Sequence, residues 1–267
     1  MKNKWLVIAL VVIGVLAALY FGARNYARSI LYQPSHEVVA PTLAQIDVIR
    51  LNTPDGESLV AWHVPPQPGQ PIFLYFDGNG GRPEMWEDTR WREIIAHGAG
   101  FLAVYYRGYS GSTGAPSEQG LITDARAGYD WLINHGYAAD QIVIHGFSLG
   151  SAVAVQLAAE KPARALILEA PMTGIDDVAR THAPGGFTGF MRDRFKSREF
   201  IARVHYPVLI AHGDADRVIP FAMGETMFAL ANEPKLFVRI EGGDHADLPR
   251  RGLYAHIWSF LDSHPAE

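Results

Sequence analysis

The 267-residue sequence contains no cysteine. Disulfides, zinc–thiolate centres and cysteine nucleophiles are excluded at once. The compartment is not, because a disulfide-free protein folds on either side of a membrane. A surplus of positive charge is also missing: 23 Lys and Arg stand against 28 Asp and Glu, a formal net charge of −5. Nucleic-acid binding needs a basic face, so no nucleic-acid partner is expected. No period of 20–50 residues repeats and no segment is of low complexity, which excludes solenoids and propellers. What is abundant is apolar: 48% of the residues are hydrophobic, enough at this length for one sizeable core.

Charge is absent from one further place. "MKNK" is followed by "WLVIALVVIGVLAALYFG", residues 5–22, without a charged side chain. At ~1.5 Å per residue this run makes about 27 Å of helix, close to the thickness of a bilayer core. Trp5 and Tyr20 lie near its ends, where interfacial aromatics belong. The run is longer than the apolar part of a signal peptide, and no small-x-small cleavage site follows it. A core helix is a poorer fit, since the run is apolar all round. The expectation is an N-terminal transmembrane anchor over residues 1–28 and a folded domain over 29–267. Lys2, Lys4 and the α-amino group precede the span and Arg24 and Arg28 follow it, which favours an outside domain by a narrow margin.

Past the anchor, short apolar runs alternate with helical patterns. "QIDVIRLNTPDGESLVAWHVPP" reads as two strands joined at Pro54-Asp55-Gly56. "PIFLYF" is a strand stopped by the glycine-rich "DGNGG". "MWEDTRWREIIAHG" has helical spacing and ends at Gly98, and "GFLAVYY" is strand-like. "RGYSGSTGAPSEQG" is a loop, "LITDARAGYDWLINHG" an amphipathic helix, and "QIVIHGF" a strand. A helix then starts near Ser148 and stops near Pro162, before the strand "ARALILEAP". Residues 172–205, with "HAPGGFTGF", read as a small irregular insertion. "PVLIAHG", "FAMGETMFALAN", "KLFVRIEGG" and "LPRRGLYAHIWSFLDSH" read as strand, helix, strand and helix. Strands without polar alternation, separated by helices, imply a mostly parallel sheet of eight strands covered on both faces, with the first hairpin at one edge.

The chemistry centres on "HGFSLGSA", residues 145–152. Gly146 and Gly150 stand two positions either side of Ser148, where strand becomes helix. Glycines there let strand and helix pass closely, and the serine side chain stands out above the sheet edge. The N–H of Leu149 then lies at a helix N-terminus, where it can donate to an anion. A glycine-lined turn with an idle serine is the bland alternative. Ser110 and Ser112, in "GYSGSTG", have no helix directly after them and read as turn residues. A serine needs a positioned base. Of the late histidines, His256 sits inside the last helix and His264 in the tail, whereas His245 lies in the loop "EGGDHADL" at the sheet edge. The orienting acid is expected in "HGDADRVIP": Asp214 suits shaping of the turn, and Asp216 suits reaching His245. Asp176 and Asp177 are fallback acids and otherwise ordinary solvated carboxylates. A second oxyanion donor is expected from "FDGNGG", Asn79 first and Gly80 second, with a plain glycine-rich turn as the alternative.

Taken together, the sequence resembles the α/β-hydrolase superfamily. It is most similar to the membrane-anchored abhydrolase-domain serine hydrolases, a group that includes protein depalmitoylases. The resemblance spans about residues 28–262. It is carried by "ILYQPS", "FDGNGG", "YRGYSGSTGAPSEQGLITDARAGYDWL", "GFSLGSA", "HGDADRVIP" and "GGDHADL", in the family's order. It implies Ser148 as nucleophile, Asp216 as acid, His245 as base, and Asn79 with Leu149 as oxyanion hole. Two positions depart from the family. Asp77 replaces the usual histidine before Gly78-Asn79, and an acid there is expected to weaken anion stabilisation or alter substrate choice. Ala246, followed by Asp247, replaces a common asparagine. The implied activity is hydrolysis of carboxylic esters or thioesters through an acyl-enzyme, with no metal or organic cofactor and a small-molecule or acylated substrate. Peptide or amide cleavage, and a non-catalytic binding role, are the competing readings.

Overall fold

The computed structural model describes residues 2–182 and 188–266. Its centre is five strands that lack polar alternation: β3 (Ile72–Phe76), β4 (Gly100–Val104), β5 (Ile142–Phe147), β6 (Ala165–Glu169) and β7 (Val208–Gly213). All of their residues are buried, as a sheet covered on both faces requires. The flanking strands β1 (Asp47–Asn52), β2 (Ser58–Val64) and β8 (Lys235–Ile240) complete eight, in the order β1-β2-β4-β3-β5-β6-β7-β8. β1 pairs antiparallel with β2, and β2 with β4; the other pairings are parallel. The outer strands β1 and β8 are only partly buried. The hairpin turn lies at Thr53–Glu57, with Gly56 at φ +92°. This is the α/β-hydrolase architecture that the sequence predicts.

Because side chains alternate across a strand, the sheet divides the interior into two cores. Ile72, Leu74 and Phe76 face α3 (Glu118–Asn134), α4 (Leu149–Ala158) and α6 (Phe221–Leu230). Phe73 and Tyr75 face α2 (Arg92–Ala96) and α7 (Leu253–Ser263). Parallel order sends the C-terminal ends of β3, β5, β6, β7 and β8 to one edge. The loops holding Asn79, Ser148, Asp216 and His245 therefore gather there.

Two segments differ from a simple reading. The segment expected as one helix over residues 85–98 instead forms a 3₁₀ turn (Pro83–Trp86), a π turn (Glu87–Trp91) and only then α2. The wider π turn brings Glu87, Arg90 and Trp91 inward together. Arg90 is drawn in by a buried carboxylate described below. The insertion after β6 contains α5 (Ile175–His182) and short 3₁₀ turns at Ser197–Glu199 and Ile201–Arg203. Residues 183–187 of "HAPGGFTGF" lie outside the described residues.

The first helix, α1 (Lys2–Leu31), has a mean hydropathy of 2.7 over its most apolar window, none of it buried against the protein. Among the described residues it is the one helix long and apolar enough to cross a membrane.

Candidate active site

Ser148 stands between β5 and α4, at φ +53°, as the residue that precedes the first turn of α4. That backbone conformation costs a non-glycine residue about 1–3 kcal/mol. The two flanking glycines explain how it persists. A Cβ on Gly146 would lie 2.2 Å from the Gly150 carbonyl oxygen, and one on Gly150 would lie 2.0 Å from that of Phe76. No side chain fits at either position, so the turn is tight because both sides are bare. The Ser148 N–H donates to the Glu169 carbonyl at 2.9 Å, which fastens the turn to β6.

The loop after β8 brings His245 to this serine. Ser148 Oγ lies 2.9 Å from His245 Nε2, and His245 Nδ1 lies 2.8 Å from Asp216 Oδ2. An ionised Asp216 accepts a hydrogen bond from Nδ1–H, which leaves Nε2 free to accept from the serine hydroxyl. The Asp216 side chain is fully buried. Its Oδ1 accepts the N–H groups of Val218 and Ile219, both at 2.8 Å. Burial alone would raise its pKa; hydrogen bonds from His212 and His245 outweigh that and hold the carboxyl well below the usual range.

The other candidates have different partners. Asp214 pairs with Arg239 at 2.7 Å and accepts the Gly242 N–H, joining the β7 and β8 loops. Asp176 and Asp177 are not solvated carboxylates. Both form ion pairs with Arg180 at the start of α5, and Asp176 is only 3% exposed. The Ser110 and Ser112 hydroxyls donate to the carbonyls of Ser35 and Tyr105. His256 is exposed on α7, and His264 Nδ1 lies 2.9 Å from the Phe260 carbonyl.

An open cleft of about 180 Å³ lies between the 77–82 loop, Met85 and Trp86 on one side and Ser148, His245 and Ala246 on the other. Asn79 and Gly80 both line it. Gly78 packs on the serine turn so closely that a Cβ there would sit 3.4 Å from that of Ser148. Leu149 is the first residue of α4 and is buried. A larger cavity, about 710 Å³, lies near Arg164 and the C-terminus; neither Ser148, Asp216 nor His245 lines it.

Comparison with known proteins places the chain in a family. The sequence profile of the phospholipase/carboxylesterase family matches residues 129–248. An uncharacterized protein of Mycobacterium tuberculosis is 36% identical over 252 residues, covering 90% of this chain and 86% of that one. The lysophosphatidylserine lipase ABHD12 of Danio rerio is 33% identical over 189 residues, covering 63% of this chain and 49% of that one. The chain thus spans about half of that lipase. The chain belongs to the abhydrolase-domain family of α/β hydrolases. Among solved structures, the Pyrococcus furiosus esterase Pf2001 superposes with a TM-score of 0.70, covering 87% of this chain and 99% of that one, at 17% identity. That last likeness concerns the fold. The family is one of esterases and lipases, and this abhydrolase chain is an enzyme of that hydrolase class.

The contacts of three parts of the site were not legible in the sequence. The first is His212, fully buried at the end of β7. Its Nε2 lies 3.2 Å from Asp216 Oδ2 and 3.0 Å from the Ile219 carbonyl. A proton on Nε2 therefore serves both acceptors. Gly224 is the one local signal. A glycine inside α6 weakens the helix by about 1 kcal/mol, yet a Cβ there would stand 2.4 Å from His212 Nδ1.

The second is Asp77. Its carboxylate accepts from Gly78 N–H and Arg82 N–H at 2.8 Å, and from Trp86 Nε1 and Tyr75 Oη at 3.1 Å. Burial raises its pKa, against these donors. Rather than standing free beside the cleft, this acid folds the 77–82 loop around itself.

The third is an ion pair behind the serine turn, Arg90 with Glu169 at 2.8 Å, both fully buried. The guanidinium stacks on Tyr75 and on Trp86, a wall of the cleft. Burial would raise the Glu169 pKa, but Arg90 and His145 bring it down to about 2. Burial lowers that of His145 to about 4, so its imidazole is neutral near pH 7.

Proposed function

We propose that the chain is a serine hydrolase of carboxylic esters or thioesters, with Ser148 as nucleophile, His245 as general base and Asp216 as orienting acid. The observation that carries this reading is the unbroken hydrogen-bonded line from Ser148 Oγ through His245 to Asp216 at the mouth of a cleft. His245 Nε2 takes the serine proton as Oγ attacks the carbonyl carbon. The oxyanion that forms is stabilised by the N–H groups of Asn79 and Leu149. His245 returns the proton to the departing alcohol or thiol, leaving an acyl-serine. Water, deprotonated by the same imidazole, then releases the acid and restores the hydroxyl. No step requires a metal or an organic cofactor.

The small open cleft, with Met85, Trp86 and Phe147 along it, suits a single extended acyl group. The lipase among the relatives acts, by its name, on a single-chain lipid, which supports the same class here. Purified protein is expected to hydrolyse p-nitrophenyl esters and to be labelled by a fluorophosphonate at Ser148. A folded protein that does neither would refute the hydrolase reading.

His212 enters this mechanism through the acid. Its N–H holds Asp216 Oδ2, the oxygen that faces His245. A hydrogen bond to a charged group contributes about 1.5–3 kcal/mol, so His212→Leu is expected to lower kcat at least about tenfold with little change in KM. His212→Gln, which keeps an N–H near the position of Nε2, is expected to retain most of the rate. Equal losses in the two variants would show that only the volume of the side chain matters.

We infer that α1 anchors the protein as a single span, with residues 29–267 on the non-cytoplasmic side. Support comes from its apolar, unburied length and from the lysines that precede it. Full-length protein is expected to resist a carbonate wash, since apolar insertion is not screened by ions. Release of a mature chain lacking residues 1–22, or protection of the domain from protease in sealed right-side-out membranes, whose cytoplasmic face is inside, would overturn this.

A further inference from the structure

The motif "ILYQPS", which follows the apolar run, takes no part in the mechanism above. Its contacts give it one. α1 makes its last helical hydrogen bond from Tyr32 N–H to the Arg28 carbonyl at 2.8 Å. Pro34 then disfavours helix at Gln33. The helix end is held on the domain from both sides. Arg28 forks onto Asp193, Nε to Oδ2 at 2.7 Å and Nη2 to Oδ1 at 3.2 Å, and Asp193 also accepts the Glu118 N–H. Tyr32 is 4% exposed within the core that contains Tyr106 and Tyr109.

From there the chain runs onto the cleft loop. The Gln33 N–H donates to the Asn79 carbonyl at 3.2 Å, and the Tyr109 hydroxyl donates to the same oxygen at 2.8 Å. Two residues on, the Ser35 carbonyl accepts the Ser110 N–H at 2.7 Å. Tyr109 is thus held beside the segment, and its ring packs on Gly81, where a Cβ would stand 2.5 Å from it. The carbonyl of Asn79 is therefore fixed by two donors, one from the anchor segment and one from the 107–114 loop.

We propose that Arg28–Ser35, the exit segment of the membrane helix, is a positioning element for the oxyanion loop. This rests on the reading of the Asn79 N–H as an oxyanion donor. The Asn79 carbonyl shares its peptide plane with the Gly80 N–H, and the plane that carries the Asn79 N–H is held in turn by the Gly78 carbonyl, which accepts the Gly81 N–H at 3.0 Å; with both planes tied, the Asn79 N–H has little freedom to turn. The helix is then part of the scaffold of the active site as well as a tether. Helix from Gly22 to Leu31 rises about 14 Å, so the brace also holds the cleft at a set height near the lipid headgroups.

The test uses the full chain in detergent micelles. Tyr109→Phe removes one donor and keeps the ring on Gly81; Arg28→Ala releases the helix end from Asp193. Tyr26→Ala, at an exposed side chain of α1, is the control. For each we would measure kcat and KM on p-nitrophenyl butyrate, and inhibition by an alkyl boronic acid, which forms a tetrahedral anion on Ser148. A misplacement of about 1 Å costs up to about a hundredfold in rate. Tyr109→Phe and Arg28→Ala are therefore each expected to lower kcat about tenfold, with KM within about twofold and boronate affinity falling in step. Their double variant should lose less than the product, because both act on one loop. Tyr26→Ala should match the unmodified chain. Unchanged kcat and boronate affinity in folded Tyr109→Phe would overturn the brace, as would a lowered melting temperature with kcat per labelled serine intact. If Arg28→Ala does not fold, Asp193→Asn, which weakens the same clamp from the domain side, takes its place with the same expected loss. An unmodified chain without turnover or labelling would instead refute the hydrolase reading on which the brace rests.

Discussion

Ser148→Ala is expected to abolish turnover and fluorophosphonate labelling while leaving the fold intact. Loss of the nucleophile in a serine triad costs on the order of 10⁶ in kcat. The residual rate comes from the oxyanion donors and from binding alone. The fold should survive because only Oγ is removed. The strained φ of +53° is held by the bare Gly146 and Gly150, and the turn keeps its N–H bond to Glu169. Melting curves of the two proteins should nearly coincide. Activity that persists in Ser148→Ala and disappears in Ser110→Ala or Ser112→Ala would move the nucleophile to the 107–114 loop. The hydrogen bonds of those two hydroxyls to backbone carbonyls argue against that outcome.

Asp216→Asn should be the next most damaging change, lowering kcat about 10⁴-fold. The reason lies in how the carboxylate is held. Oδ1 accepts two backbone N–H groups, from Val218 and Ile219. An asparagine would keep its carbonyl oxygen there, because its NH₂ group cannot accept them. The NH₂ is then forced into the place of Oδ2, facing His245 Nδ1 and His212 Nε2. It donates to Nδ1, which puts the imidazole proton on Nε2, toward Ser148. The base is thereby blocked with hardly any change in geometry. Asp214→Asn breaks only an exposed pair with Arg239, and such pairs are largely screened by solvent. Its kcat should stay within about fivefold of the unmodified chain. The reverse ranking, on variants shown to be folded, would transfer the role of acid to Asp214.

The elbow and the sheet were legible because their causes are local. Steric exclusion at Gly146 and Gly150 acts over a few residues, and strands buried on both faces announce themselves as unbroken apolar runs. The order of serine, acid and histidine along the chain pointed to the loops after β7 and β8, and the parallel sheet brings those loops to one edge. The same local reasoning missed the irregular turns of residues 83–96. Their helical spacing is genuine, but Arg90 lies in a π turn, where it pairs with the buried Glu169 on a distant strand.

By itself, then, the amino-acid sequence determined the α/β architecture, the serine between its glycines at a strand-to-helix turn, and an apolar N-terminal run of membrane-spanning length. Only the tertiary structure decided the rest. It chose which oxygen of Asp216 meets His245 and which meets the backbone, and it set His212 behind that acid against a bare Gly224. It turned Asp77 from a free acid into the centre of its own loop, and it joined the end of α1 to Asn79. Each of these is a hydrogen bond or close contact between groups on different elements. Local pattern and propensity act only over neighbouring residues, whereas these contacts exist because the twist and register of one sheet bring particular loop atoms within 3 Å or so of each other.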